Sequence, residues 1–311
     1  MAGPRVVVNG PDFTPLSYGL WDAVQKPTPE GTHWQNGITW SEWCGGGDTL
    51  YDECIAVTGS GGSPSGQASM TSNITQTNRG ATSFACYAEF DCSPVGLADA
   101  QTIAQNALDK IGPYQLERAF WTGVAGKTSS GGVAQNTVFP HLASSSAIND
   151  PNSTQTIVLQ PAATMAVTGS GGPDSDPANS LGALEASLAS CYHGKGVIHM
   201  SPGAFPTFAA WELVEDDGSG ALYTKAGNRV VVGQGYTGSA PSTPTTAPAV
   251  GTSWIYATGP VFGYQAPLKI PSLTEQFDRS ENTYHLLAQQ VYVLGFECCL
   301  IASFVTLGVP T

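Results

Sequence analysis

The sequence has few charged residues. Asp, Glu, Lys and Arg make up only 11% of its 311 residues, against about 25% in an average soluble protein. Apolar content is ordinary at 41%, so glycine and small polar residues fill the positions that charge would occupy. Charge depletion is typical of the buried centres of protein interfaces, and secreted β-rich proteins have a similar composition. Composition alone leaves both classes open.

Clustered basic residues are also missing. The formal net charge is −13, from 24 acidic and 11 basic residues, and the lysines are scattered along the chain. Tight binding to phosphates requires Lys and Arg in clusters. The sequence therefore argues against specific recognition of nucleic acid. A wall that encloses nucleic acid without adhering to it stays compatible with this charge.

Long apolar segments are absent as well. The longest near-continuous apolar run, 298–305, is too short to span a membrane, and the first residues have no apolar core of signal-peptide length. We therefore expect no membrane partner, and synthesis in a reducing, intracellular compartment. The seven cysteines are odd in number and match no paired zinc-site spacing. Free thiols are the default expectation.

No catalytic motif is complete. The stretch 126–128 ends like a phosphate-binding loop, but Trp121 stands where that motif needs its first glycine. No serine lies in the Gly-x-Ser-x-Gly frame of a hydrolase. Acidic turns at 174–176 and 216–217 lack the ligand pattern of a calcium loop. We expect no catalytic residue and no cofactor.

One group of cysteine and histidine residues could form a metal site, and one pair of cysteines could form a redox site. Each group also has a structural interpretation. Cys191, His193 and His199 fall close together in sequence, but the first two end a predicted helix while the third lies in a predicted strand. Packed side chains are favoured there over a metal site. The neighbours Cys298 and Cys299 would point to opposite faces of a strand, which favours buried small hydrophobes over a redox pair.

Three helical segments are predicted from residue 97 onwards, in addition to a brief one near the start of the chain. Apolar residues recur at helical spacing over 97–111, proline in Gly112-Pro113 should break or kink the helix, and 114–121 resumes it. A second helix is expected over 180–192 with Ser180 as its N-cap. A third is expected over 204–214, and a brief one near the start, over 17–24.

Strands are predicted on both sides of these helices. Residues 39–90 indicate a long two-stranded loop around a glycine-serine tip at 59–67, and alternation from Phe84 to Phe90 places one face inward. Further strands are expected at 154–160 and 195–200, as a hairpin over 221–236 that turns near Gly227, and at 253–262 and 282–304. The fold class is therefore α+β with an antiparallel sheet and few helices.

Three stretches carry a resemblance to a known family. They are QLERAFWTG at 115–123, VIHMSPGAFPTFAA at 197–210, and SWIYATGPV at 253–261 followed by YVLGFECCLIAS at 292–303. With these stretches the chain resembles the major capsid proteins of tailed bacteriophages, which have the Hong Kong 97-type fold, and especially those of actinobacteriophages. The resemblance covers roughly 80–311 and rests on packing residues.

The resemblance implies an organisation for the chain. Residues 1–38 would form an N-terminal arm and 39–85 an extended β loop. Residues 86–144 and 259–311 would form a peripheral domain with a spine helix at 97–121, and 145–258 an axial domain. Copies would assemble as pentamers and hexamers into an icosahedral shell around phage double-stranded DNA. The shell would be built in the bacterial host cytoplasm, with a portal and a decoration protein as further partners.

Two departures from relatives refine this expectation. The predicted spine helix begins near residue 97, and the arm and loop fill the space before it, so scaffolding should come from a separate protein. Some relatives crosslink their shells through a lysine–asparagine isopeptide bond from the loop. Between Lys26 and Lys110 this chain has no lysine, so that bond cannot form there. Noncovalent contacts or an accessory protein would have to supply the strength.

Aromatic residues in the arm and loop are the predicted contact sites. Trp34, Trp40, Trp43 and Tyr51 lie in segments with little core of their own, so we predict that several are buried against neighbouring subunits. A local aromatic cluster within one chain is the competing interpretation. A virion decoration protein or a carbohydrate-binding module is the alternative function, and a hydrolase with an unassembled site is a third.

Overall fold

The structure is a computed structural model. It describes residues 13–14, 17–28, 31, 33–44, 75–92, 100–127, 133–135, 139–150, 156–169, 173–270, 277–278 and 280–308. The helices of this part of the chain are α1 Leu20–Ala23, α2 Ala100–Thr122, α3 Pro177–Tyr192 and α4 Phe205–Ala210, with short 3-10 turns at His33–Asn36 and Pro173–Ser175. None of the helices in these ranges is both long and apolar enough to cross a membrane.

Seventeen short strands surround the helices in the described ranges. They are β1 Ile38–Cys44, β2 Thr75–Ala81, β3 Phe84–Cys92, β4 Val124–Lys127, β5 Val133–Gln135, β6 Ile148–Asn149, β7 Ile157–Gln160, β8 Thr164–Val167, β9 Val197–Met200, β10 Val214–Asp216, β11 Leu222–Thr224, β12 Arg229–Val232, β13 Thr252–Thr258, β14 Val261–Gln265, β15 Phe277–Asp278, β16 Thr283–Phe296 and β17 Leu300–Thr306. The α+β class predicted from the sequence is confirmed.

The strands form four sheets. One has the order β1-β2-β7-β6, and a second, of seven strands, has the order β10-β11-β12-β9-β13-β17-β8. In the third, β16 pairs with β14, β15 and β3, and β4 and β5 form a ribbon of their own. Within the large sheet β12 runs parallel to β9, whereas β13 is antiparallel to both β9 and β17. The sheet is therefore mixed.

Two hydrophobic cores follow from this arrangement. The first lies between helix α2 and the sheet of β3 and β16, where Phe84, Cys86 and Ala88 are buried as the alternation of the sequence predicts. The second lies between α3, α4 and the large sheet, and includes Leu184, Ile198 and Phe208. Strand β17 contributes side chains to both cores.

Helix α2 continues through Pro113, so of the break or kink predicted there the break is wrong. A proline inside a helix removes one hydrogen bond and costs about 3 kcal/mol. The buried residues Ala104, Leu108, Leu116 and Phe120 lie on both sides of it, at intervals of four or eight residues. Because this single face packs on one core, burial outweighs the local cost and holds the two halves in line. Residues 97–99 lie outside the described ranges.

Other helix ends also differ from expectation. Helix α3 begins three residues earlier than predicted, because Asp176 rather than Ser180 is its N-cap and accepts from the Asn179 amide at 2.8 Å. The Ser180 hydroxyl instead donates to the Phe304 carbonyl at 2.7 Å. Helices α1 and α4 are shorter than their predicted ranges 17–24 and 204–214. The hairpin near Gly227 is present, with that glycine at φ 85°.

A two-stranded ribbon links the large sheet to the β16 sheet. Strand β13 pairs with β17 in the large sheet. Along the chain β13 leads into β14 and β16 leads into β17, and β14 pairs with β16 in the other sheet. The chain bends at Gly259-Pro260 on one strand and between Glu297 and Cys299 on the other. At this joint the Gly259 amide donates to the Glu297 carbonyl, and the Glu297 amide donates to the Pro260 carbonyl, both at 3.2 Å.

Candidate functional site

The antiparallel pair β1–β2 makes up most of the part of the predicted loop that the structure describes. Residues 38–44 pair in register with 75–81, as the two-stranded interpretation predicts. The glycine-serine tip at 59–67 and Tyr51 lie outside the described residues. The pair joins β7 through a short parallel contact at Asn78 and Arg79. We call β1 and β2 together the loop hairpin.

Alternation along β1 gives the loop hairpin two different faces. Trp40 lies on the inner face, where its ring meets Phe262 edge-on at 5.0 Å between centroids and covers Gly295. Trp43 lies on the other face and is 63% exposed. Trp34, in the 3-10 turn before β1, is half-buried with its ring 5.5 Å from that of Tyr264. The predicted contact residues therefore occupy different surroundings, and contact with another copy stays a prediction for each.

A buried ion pair fastens the inner face to the rest of the chain. The Glu42 carboxylate, 2% exposed as a residue, pairs with the Arg79 guanidinium across the two strands. The other Glu42 oxygen accepts from the Cys298 amide at 2.7 Å, and Arg79 donates to the Cys298 carbonyl at 3.3 Å. Both backbone groups of Cys298 are thus held by one charge pair from the hairpin.

Two disulfides meet at the same turn. Cys44, at the end of β1, is bonded to Cys298, and Cys191, in the last turn of α3, is bonded to Cys299. The expectation of free thiols is therefore wrong for four cysteines. The strand geometry expected for Cys298 and Cys299 is also wrong, because the pair forms the turn between β16 and β17 with Cys298 at φ 53°. Partners 254 and 108 residues apart left no sequence signal except the vicinal pair itself.

Among the five cysteines whose side chains the structure describes, Cys86 alone is outside a disulfide. Cys86 is free and 3% exposed in the first core. Burial raises the pKa of its thiol to about 12, so it stays protonated at neutral pH and is a poor nucleophile.

The predicted group of Cys191, His193 and His199 does not assemble. Cys191 is in a disulfide, His193 is the exposed C-cap of α3, and His199 is fully buried in β9. The His199 ring nitrogens lie 3.0 Å from the Tyr236 hydroxyl and 3.0 Å from the Thr258 hydroxyl. Thr258 beside a histidine has the geometry of a nucleophile and base, but both residues are 0% exposed, which leaves no approach for a substrate.

Buried Glu117 has a structural set of partners. Its two oxygens accept from the Leu20 amide at 2.9 Å and the Gly235 amide at 3.1 Å. Burial raises the pKa of this carboxyl despite those bonds. It joins α1, α2 and the loop after β12, three segments that no backbone ladder connects.

Exposed acidic groups surround His285. Its Nδ1 lies 2.7 Å from an Asp91 carboxylate oxygen, which raises the pKa of the imidazole. Glu89 on one side and Asp278 and Glu281 on the other complete the group. The Asp278 oxygen already accepts from the amide and the hydroxyl of Ser280. The arrangement is a solvated ion-pair network.

A cavity of about 250 Å³ lies beside Pro113, between α1, α2 and β16. Its lining combines the carboxylates of Asp22 and Asp109 with the rings of Trp21 and Tyr292, and includes no serine, cysteine, histidine or lysine. The lining thus lacks the serine and cysteine nucleophiles of many hydrolases and the basic groups that hold phosphate.

The free edge of β3 is covered from within the chain. The Gln115 side chain on α2 donates to the Tyr87 carbonyl at 2.9 Å and accepts from the Tyr87 amide at 3.0 Å. An exposed strand edge otherwise invites pairing with another chain. At this position the chain cannot add a strand from a neighbour.

Comparisons with known proteins support the fold. No protein-family model and no curated protein sequence matches the chain. Among solved structures, the capsid of a native GTA particle matches with a TM-score of 0.52 and 11% identity, over 98% of this chain and 95% of that one. A chain from Mycobacterium phage Bobi matches with a TM-score of 0.53 and 12% identity, over 97% and 95%.

A third match has the same extent. A chain from Microbacterium phage Oxtober96 has a TM-score of 0.51 and 11% identity, over 100% of this chain and 96% of that one. At such low identity the likeness concerns the fold, and it runs from end to end of each chain. The fold class expected from the sequence, that of phage capsid proteins, is confirmed.

Proposed function

We propose that this chain is a structural major capsid protein, which assembles with copies of itself into the icosahedral shell of a tailed bacteriophage. The observation that carries the proposal is the end-to-end match to the capsid of a GTA particle, with 98% of one chain and 95% of the other covered. The match thus includes every part of the fold and not one module alone. The solvated acidic network, inert thiol and buried histidine fit a role that requires no chemistry.

The proposed organisation follows the parts of the fold. The loop hairpin belongs to an extended loop at 39–85 and the preceding residues to an arm at 1–38. Helix α2 is the spine helix of a peripheral domain that includes 86–144 and 259–311, and 145–258 form the axial domain. The two cores support the centres of this division, because one is centred on α2 and the other on α3 and α4. Strand β17, within 259–311, lies in the large sheet and contributes to both cores.

Further partners belong to the same proposal. The chain is made in the bacterial host cytoplasm, assembles as pentamers and hexamers, and ends in the virion capsid. A separate scaffolding protein, a portal and a decoration protein act with it. The net charge of −13 supports enclosure of DNA without adhesion, because like charges on wall and phosphates repel.

Trp43 is the proposed anchor between subunits. Its ring is 63% exposed, and its neighbours on that face of the strand, Thr39 and Ser41, are polar. An aromatic ring of this size offers roughly 150–250 Å² for burial, and tryptophan is enriched among the residues that dominate interfaces. Trp40 is turned inward and serves as the matched control.

The test compares Trp43→Ala with Trp40→Ala. Trp43→Ala should change the free energy of unfolding by no more than about 0.5 kcal/mol, yet raise the concentration needed for assembly about tenfold or more. Trp40→Ala should lose about 2 kcal/mol of stability, since its half-buried ring packs on Phe262. Urea unfolding measures the first quantity and sedimentation the second.

Electron microscopy of the fastest-sedimenting wild-type fraction tests the function itself. Closed shells, or rings of five or six, are the expected result with or without a scaffolding protein from the same source. A monomer that persists with scaffold present, or retention on a glycan column, would contradict the capsid proposal. Shells of wild-type yield from Trp43→Ala would contradict only the anchor.

A further inference from the structure

Three elements converge on the Cys298-Cys299 turn. The loop hairpin reaches it through Cys44 and helix α3 through Cys191, while the turn itself joins β16 to β17 at the ribbon joint. The hairpin sheet and the α3 core share no direct backbone pairing in the described ranges. The two disulfides therefore connect parts of the fold whose strands do not pair with each other in the described ranges.

The noncovalent contacts bring each sulfur pair together without the bond. Glu42 and Arg79 hold the amide and carbonyl of Cys298, and Glu42 lies two residues before Cys44 on the same face of β1. On the other side the Tyr192 hydroxyl donates to Glu297 at 3.2 Å, next to Cys191. Cys299 is 2% exposed in the second core. The reduced chain can thus fold with both thiol pairs already adjacent.

Small molecules can reach this turn. A cleft of about 660 Å³ is lined by Cys191, Cys298 and Cys299 and by the Arg79 side chain. A cleft of this size admits a small oxidant such as dioxygen or a small disulfide.

We infer that these cysteines are an oxidation site, closed after the chain leaves the reducing cytoplasm, and that the two bonds clamp the loop hairpin and α3 to the ribbon joint. This inference rests on the proposed function for the place and time of oxidation, since thiols stay reduced in a cytoplasm. The two disulfides supply covalent reinforcement in a chain whose loop has no lysine for an isopeptide crosslink.

The chemistry is two separate thiol oxidations. In each, two thiols lose two protons and two electrons as one S–S bond forms. Outside the cell dioxygen accepts the electrons and protons and becomes hydrogen peroxide. In the test tube oxidised glutathione accepts them by exchange and leaves as two molecules of reduced glutathione.

The first experiment fixes when the bonds form. Cells making the protein are lysed into N-ethylmaleimide with a denaturant, so that buried thiols also react, and purified particles are left in air before the same treatment. Mass spectrometry should find Cys44, Cys191, Cys298 and Cys299 alkylated in the lysate, and linked as 44–298 and 191–299 after air. Bonds already complete in the lysate, or absent after oxidation, would overturn the inference.

The second experiment measures the clamp. Reduced protein is treated with oxidised glutathione, and the midpoint of thermal unfolding should rise by roughly 10 °C. Cys44→Ala and Cys191→Ala should each lose part of this rise and the double variant all of it. Cys86→Ala, which changes a thiol outside both pairs, should keep the full rise.

The outcomes separate the clamp from the capsid proposal. Shells formed by the reduced protein, with no gain on oxidation, would reject the clamp and leave the function intact. A chain that stays monomeric with scaffold present but still gains the full shift would reject the function, while the clamp would remain as a property of the folded chain.

Discussion

Acid should weaken the folded chain through two buried histidines. Burial lowers the pKa of His199 to about 3 and that of His141 to about 4, against about 6.5 for an unfolded histidine. His199 has hydroxyl partners only, and the His141 ring packs against Gly123 and the Phe139 carbonyl. In the described part of the chain, no ring nitrogen of His141 or His199 has a carboxylate partner. Nothing there therefore offsets the cost of a buried positive charge on either imidazole.

The size of the effect follows from the difference between the two states. A histidine with a lowered folded pKa contributes stability that is present above about pH 6.5 and is lost as the pH falls toward the folded value. A pH of 5 lies about 1.5 units below the pKa of an unfolded histidine. Protonation there stabilises the unfolded state by about 2 kcal/mol for each such histidine. Two such residues remove about 4 kcal/mol, a large share of the stability of an ordinary domain.

The assay is urea unfolding of the unassembled chain at pH 7.5 and pH 5.0, followed by tryptophan fluorescence. Wild type is compared with His199→Gln, which keeps a donor and an acceptor but does not titrate. Carboxylates titrate alike in both proteins, so their contribution cancels in the difference. The variant should lose about 2 kcal/mol less than wild type between the two pH values. Equal losses would refute the assignment of acid sensitivity to His199.

Two further substitutions test the packing of the fold. Glu117→Ala should cost about 3 kcal/mol in urea unfolding, because it leaves two buried backbone amides without an acceptor; a loss under about 1 kcal/mol would mean that water replaces the carboxylate. Gly196→Ala should cost about 3 kcal/mol or prevent soluble expression, since a Cβ there overlaps the Thr258 carbonyl oxygen. Gly182→Ala is its matched control, with open space around an exposed helix position, and should add up to about 1 kcal/mol of stability; similar behaviour of the two variants would contradict the packing described for Gly196.

The sequence predicted elements whose cause is local. Alternation from Phe84 to Phe90 gave the buried face of β3, and Gly227 gave the turn of its hairpin, because each depends on neighbours along the chain. The local sequence left open whether the helix breaks or only kinks at Pro113, since the continuity of α2 depends on a core built from β3 and β16. The Asp176 cap was missed because Ser180 has an equally good capping side chain but is bonded to the distant Phe304 carbonyl.

The sequence could have placed the predicted contact residues on their faces, but it could not have paired the cysteines. Trp40 and Trp43 are three residues apart, so any strand that includes both must place them on opposite faces. That parity could have separated the inner ring from the exposed one. The disulfides could not have been paired, because which thiols meet depends on how the loop hairpin and α3 dock on the β16–β17 turn.

The ribbon joint has a mechanical consequence. A pull on the loop hairpin travels along β1 to Cys44 and enters the molecule at Cys298, beside the hydrogen bonds of Gly259 and Glu297. The load thus arrives at the joint between the two sheets, and not at the far end of either one. A force on the hairpin is therefore shared by both sheets through one turn of chain.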